Sequence, residues 1–445
     1  MEKNLTSGSV LKTIIFFALP YLLSYFLQTL YGMADLFITG QYNGVDGITA
    51  VTNGSQVMYM LTVIIVGLAM GATVIIGRAV GAGKMREAGN VVGNTITLFM
   101  GISVVITVVL LLTVNQIVAF IGTPQEAVNG TIKYLIICFI GIPFITAYNI
   151  ISSIFRGLGD SKSPMYFIGV ACVMNIVLDY IFIGAMDMGA AGAALGTTFA
   201  QTISVVVSLF AISRKKSGIK LTKKDFVPDR QVMGNILKIG VPVAVQDGFI
   251  QVAFMIITVI ANNRGIADAA AVGIVEKVIS ALFIVPSSML ATVSALSAQN
   301  IGAGKYDRAS QTLKYATIFT TCYGIVVTVI VLAISKNILG VFSSDAAVIL
   351  LGSQYISGYI IDTIFAGVHF CFTGYFCAYG KSYIGFIHNV LSIVLVRVPG
   401  SYLASQKFSD TLLPMGLAAP AGSMLSIIIC IAAYTWLKKK GIDKN

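Results

Sequence analysis

Residues 78–88 read RAVGAGKMREA and residues 299–309 read QNIGAGKYDRA. A glycine-rich turn ending in lysine cradles phosphate when it reads GxxxxGK[ST]. In these two copies the opening glycine position holds Arg78 and Gln299, and the Ser/Thr position holds Met85 and Tyr306. Both fail at the same two points, so the segments mark a duplication and not a pair of nucleotide sites. The register holds beyond them: Gly159 in FRGLGDSKS finds Gly380 in FCAYGKSYI at the same spacing, and Pro20 in FALPYLL finds Pro242 in KIGVPVAV one residue further on. The chain reads as two related six-helix halves, 1–213 and 234–445, joined by a basic linker over 214–233.

Composition sets the solvent. Hydrophobic residues make up 57% and charged residues 11% of the 445, with a mean hydropathy of +0.89. A globular chain carries about 25% charged residues. This is the balance of an all-α integral membrane protein. Apolar runs of roughly 20 residues, the length that crosses ~30 Å of hydrocarbon, occur twelve times, the first near 11–39, the fourth near 131–155, the tenth near 351–379 and the last near 415–437. The first is read as a span and not as a cleaved signal.

Twelve spans bring both termini to one face. Of the 29 Lys and Arg, four (Lys133, Arg264, Lys336, Lys407) fall at the other face and two (Lys277, Arg397) within spans. By the positive-inside rule the termini are cytoplasmic and the membrane is the cell (plasma or inner) membrane. The net charge of +11 is thus an orientation signal; spread over many loops, it does not form a groove for nucleic acid. The six cysteines sit in apolar runs without paired metal-ligand spacing and read as reduced packing residues. Neither HExxH nor GxSxG occurs, so no enzyme chemistry and no cofactor are expected. The GLGD stretch (157–160) resembles an intramembrane protease motif, but Asp160 lies in a basic loop and the repeat has Lys381 in its place.

Ionisable groups within spans are costly, at least ~2.5 kcal/mol each on the mildest scale. Asp35 lies five residues before Gly40 and Asp179 five before Gly184, so both carboxylates sit at similar depth, roughly 7–8 Å inside the outer helix ends. Gln28, Tyr31 and Asp35 share one helix face, Asn175 and Asp179 another, and Thr197 reaches a comparable level. Two carboxylates, an amide and a hydroxyl suit a hard cation or a held proton; hydrogen bonds between helices are the plainer alternative for Gln28, Asn175 and Thr197. The second half lacks this set in register and has its own polar groups: Gln246, Asp247, Glu276, Lys277, Asp362, His369 and Arg397. Asp362 with Arg397 is a candidate charge pair, and His369 reads as a hydrogen-bonded packing residue before a proton relay. Pro20, Pro143, Pro242 and Pro286 permit kinks.

Taken together, the LP kinks in the first and seventh spans, FITG ending the first, GAGK after the second and eighth, FRGLGDSKSP after the fourth and NIVLDYIFI in the fifth resemble the multidrug and toxic compound extrusion (MATE) transporters over almost the whole chain. The resemblance implies a V-shaped pair of six-helix bundles and export of amphipathic or cationic compounds in exchange for H⁺ or Na⁺. In the branch with its cation site in the first bundle, the matching positions are Asp35, Asn175, Asp179 and Thr197, with Gln28, Tyr31 and Asn149 lining the cavity and Pro20 bending the first helix. A monomer in the lipid bilayer, handling a small drug or organic cation, is expected. The alternative within the same superfamily is a lipid-linked oligosaccharide flippase, for which several cavity Arg or Lys would be needed.

Overall fold

The computed structural model describes residues 5–214 and 221–441. Among the described residues it is all-helical: α1 (Val10–Tyr42), α2 (Val45–Gly81), α3 (Met85–Phe120), α4 (Gln125–Ile140), α5 (Ile142–Gly157), α6 (Lys162–Asp179), α7 (Gly189–Arg214), α8 (Arg230–Asn262), α9 (Ile266–Leu282), α10 (Ile284–Gly302), α11 (Tyr306–Phe342), α12 (Ala346–Tyr359), α13 (Asp362–Ala378), α14 (Ser382–Ser392), α15 (Val398–Lys407) and α16 (Leu413–Lys439). Two π-helical turns, Tyr180–Ala185 and Ile393–Arg397, follow α6 and α14, and a short 3₁₀ turn spans Lys223–Phe226. Ten helices or helix pairs are long and apolar enough to cross a membrane, and α4–α5 and α12–α13 are two more, bent by 50° and 41°. Twelve spans result.

The bends have local causes. Gly141 ends α4 and Pro143, lacking an N–H, opens α5. The second bend has no proline; there the Ile360 carbonyl accepts from the hydroxyls of Thr363 at 2.7 Å and Thr328 at 3.2 Å.

The repeated motifs end helices in one way. Gly83 and Gly304 have φ of 72° and 71°, Gly159 and Gly380 of 86° and 67°, the left-handed region where a side chain is penalised. Behind each, the next residue's N–H bonds back to a carbonyl five residues earlier: Lys84 to Ala79 at 2.9 Å, Lys305 to Asn300 at 2.8 Å, Asp160 to Phe155 at 2.8 Å and Lys381 to Phe376 at 2.8 Å. This is the Schellman closure, which satisfies carbonyls that hydrocarbon could not. Asp160 caps the start of α6, accepting from the N–H of Lys162 and Ser163, each at 3.0 Å. Its carboxylate is a structural group.

The chain forms two compact units. One is built from Leu19–Gly240, the other from Leu5–Ala18 with the chain from Val241 onward. Compared with a division at the linker, each unit contains the opening turns of the other half's first helix, and both changes of unit fall two residues ahead of a proline, Pro20 or Pro242. Burial explains the assignment. Val10, Ile14 and Phe17 lie at helical spacing and are buried among Met289, Val293, Leu313, Tyr375 and Cys430. Ile236 is buried among Ala69, Ala72, Ile76 and Ile154. Where lipid tails are as apolar as leucine, association rests on close backbone approach at small residues. Gly71 meets the Ile236 carbonyl and Gly240 the Leu68 carbonyl so tightly that a Cβ at either would collide.

Each opening segment is also gripped from the basic loop after GAGK. In the second unit Lys305 Nζ donates to the Thr6 carbonyl at 2.7 Å, and Arg308 donates to those of Gly8 and Ser7 at 2.7 and 2.8 Å. In the first, Arg86 pairs with Asp225 at 2.8 Å, while Asn94 and Thr97 donate to the carbonyls of Asp225 and Phe226 at 3.2 and 2.9 Å. The Thr222 backbone N–H, then Arg86, hold the Asp225 carboxyl below the usual carboxylate range.

Two outcomes follow. Gly71→Val forces backbone apart and should lower stability by about 1–3 kcal/mol, read as an earlier thermal midpoint of the purified protein. Because the Asp225 carboxyl is held low, its contribution is fully present above the unfolded value of about 3.9 and is lost as pH falls through the folded value. The midpoint gap between wild type and Asp225→Asn should hold from pH 7 to about pH 4 and close below that.

Candidate functional site

In the first unit α1, α6 and α7 bring the two intramembrane aspartates together. Asp35 is 4% exposed and Asp179 fully buried. Thr197 Oγ1 donates to Asp35 Oδ2 at 3.1 Å, and Asn175 Nδ2 approaches Thr197 Oγ1 at 3.5 Å, a long contact. The carboxyl groups of Asp35 and Asp179 lie near enough to interact with each other. Yet Asp35 Oδ1 and both oxygens of Asp179 lack a protein donor. Buried charges without partners are costly, and two carboxylates cannot satisfy each other, since neither brings a hydrogen.

Local structure accounts for the placement. Asp179 is the last α-helical residue before the π turn, where Met186 N–H reaches back to Ile181 at 2.9 Å. The turn's extra residue shifts the helix face just beyond the carboxylate, as such bulges often do beside functional groups. Across from it α7 offers Gly196, and a Cβ there would collide with Asp179 Oδ1. Next to the acidic pair Tyr31, Asn175, Thr197 and Gln201 close around a crevice floored by Ala171 and Ala200. Asn149 does not join this lining; its amide donates to its own helix at the Ile145 carbonyl, 2.8 Å away. Pro20 sits within α1, with its carbonyl accepting from Ser24 at 2.8 Å.

The second-unit residues are differently arranged. Arg397 does not form an ion pair with Asp362. Its guanidinium donates to the Tyr359 hydroxyl and lies over the rings of Phe254 and Tyr359, 4.9 and 5.3 Å from their centroids. Glu276 accepts from Thr258 at 3.3 Å, whereas Lys277 is exposed. His369 meets Ser423 at 3.3 Å and stacks edge-on to His388, the chain's other histidine, with ring centroids 5.5 Å apart. Gln246 is buried with its Oε1 unpartnered, and Asp247 is half-buried. Among the described residues no group of three His, Cys, Asp or Glu could hold a metal ion.

A MatE family model matches residues 20–181 and again 242–403. The chain belongs to the MatE family. Among its MatE relatives are the probable multidrug resistance proteins YoeA and YpnP of Bacillus subtilis. YoeA is 25% identical over 439 residues, covering 97% of this chain and 95% of that protein. YpnP is 27% identical over 403 residues, covering 90% of each. The fold matches a crystal structure described as MATE in complex with MaL6, at a TM-score of 0.91 and 20% identity over 99% of both chains. It also matches an outward-facing multidrug resistance MATE family transporter, at a TM-score of 0.92 and 20% identity over 99% and 98%. The two MatE matches begin and end 222 residues apart.

Gly196 and Gln201 escape a reading based on charge. The signal for Gly196 is only its position, one residue before Thr197. Gly196→Ala should leave a folded protein, because a side chain can swing aside, but move the Asp179 carboxylate. Transport in proteoliposomes should then fall about tenfold or more, the scale on which ångström misplacement of a reacting group acts.

Proposed function

We propose that the protein is an efflux antiporter that exports amphipathic or cationic organic compounds in exchange for H⁺ or Na⁺ by alternating access. It works as a monomer in the cell membrane with both termini cytoplasmic. One observation carries this reading: two buried aspartates lie near enough to interact, with three of their oxygens lacking any protein donor. What those oxygens lack is a proton held between them, or a small hard cation with oxygen ligands from Asp35, Asp179, Asn175 and Thr197.

The cycle follows from electrostatics. With the site open to the outside, the acidic pair takes up its ion and the network through Thr197 and Asn175 closes on it. The organic compound is released from the side of Tyr31 and Gln28. The loaded carrier turns inward, the ion dissociates, and two like charges in low dielectric make the vacated pair attractive to a cationic compound. Ion and drug thereby compete for one source of negative charge, and competition couples their opposite movements. Pro20, in the helix that carries Asp35, lets the helix bend as the pair fills. The printed names of the Bacillus relatives support multidrug compounds as the cargo.

The test is uptake of a fluorescent organic cation by proteoliposomes under separately imposed proton and sodium gradients. One gradient should drive transport, and Asp35→Asn and Asp179→Asn should each lower driven transport by about tenfold or more, as expected when a group bearing the coupled charge is removed. Unchanged ion-driven transport in both variants would sink the proposal.

A further inference from the structure

The second unit carries an arginine, Arg397, within a span and among groups that suit a cation. Around that guanidinium stand the ring faces of Phe254 and Tyr359. The Tyr359 hydroxyl accepts its hydrogen bond. The carboxylates of Glu276 and Asp362 are its electrostatic partners from α9 and α13. Neither carboxylate is spent on another base: Glu276 Oε1 and Asp362 Oδ1 are buried without a partner, as is Arg397 Nε. Arg397 is carried on the second π turn, which Gly422 of α16 admits; a Cβ there would lie 2.7 Å from Ser392 Oγ and 3.4 Å from Arg397 Cβ.

Aromatic faces, a hydroxyl acceptor and two carboxylates at a short remove are the surroundings of a bound organic cation. We infer that the second unit holds a cation cradle built by Phe254, Tyr359, Glu276 and Asp362, and that Arg397 fills it as a cation tethered to the chain. Charge supports this. The first-unit pair carries two formal negatives and no resident positive; the second carries two negatives and one fixed positive, the balance the first would reach with one ion aboard. The cradle is therefore held with its cation permanently in place. The cradle itself stands independently of whether Asp35 and Asp179 bind the coupling ion, because all its residues belong to the second unit.

The cradle is tested by emptying it. Arg397→Ala should create a site for free guanidinium: millimolar guanidinium chloride should raise the thermal midpoint of the purified variant saturably, while wild type shows no such rise. Urea, a neutral molecule of the same shape, should not substitute, and adding Glu276→Gln should weaken the response several-fold. A folded Arg397→Ala protein that does not respond to guanidinium, or responds no more than wild type, overturns the inference. Should the variant be recovered only as aggregate, the test moves to extraction. Recovery of monodisperse protein from membranes solubilised with guanidinium chloride but not sodium chloride supports the cradle, and failure with both salts overturns it.

Discussion

In hydrocarbon a carbonyl without a hydrogen bond has no water to turn to. Every helix that stops inside or at the rim of the bilayer must close its own end, and this chain does so with left-handed glycines at Gly83, Gly159, Gly304 and Gly380. Each closure leaves a short basic loop pinned at the membrane surface. From two of those loops Arg86 and Arg308 reach the segments that lead into α8 and α1. Helix closure and the anchoring of the opening helices are thus one device, used twice. The same rule governs the broken spans, where Thr363 and Thr328 supply the donors that the α12–α13 bend removes.

The acidic pair sits in this frame as a deliberate violation. Several buried hydroxyls of the first unit bond to carbonyls of their own or a neighbouring helix, as Thr73 does to Ser153 at 3.0 Å, while others, Thr39, Thr146 and Ser152 among them, lack a partner as well. Asp35 and Asp179 instead lie close to each other. The α6 π turn, Gly196 and the hydroxyl of Thr197 hold them there. A site whose missing hydrogen or cation must come from outside is a site that can be loaded and unloaded. In the second unit the guanidinium of Arg397 stands over the rings of Phe254 and Tyr359.

Much of this was legible in the order of residues. Twelve spans follow from hydropathy, the duplication from GAGK, and the aspartates from the cost of charge in an apolar run. Charge also drew attention to Arg397, whose direct hydrogen bond goes to the Tyr359 hydroxyl and not to Asp362. Asp362 is the obvious counter-ion in a list of charged residues, whereas Tyr359 and Phe254 look like ordinary membrane aromatics until the fold stacks them on the guanidinium. Asn149 illustrates the opposite limit: a buried amide that resemblance places at the cavity bonds to its own helix. Gly196 matters only because of what lies across from it, and no local pattern carries that information. The exchange of opening helix turns between the units is invisible for the same reason, since the partners of Ile14 and Phe17 lie hundreds of residues away.

That exchange has a consequence for the order in which the protein is made. Leu5, Val10, Ile14 and Phe17 leave the ribosome long before Cys430 and Leu437, which are part of the surface that buries them. The first turns of α1 must therefore wait for that surface until those residues are made. Contacts between the two ends of a chain are slow to form, and an unpacked segment is exposed to mispairing meanwhile. The basic segment at Lys305 and Arg308, made before Cys430 and Leu437, offers the waiting segment a polar hold before the apolar one is complete.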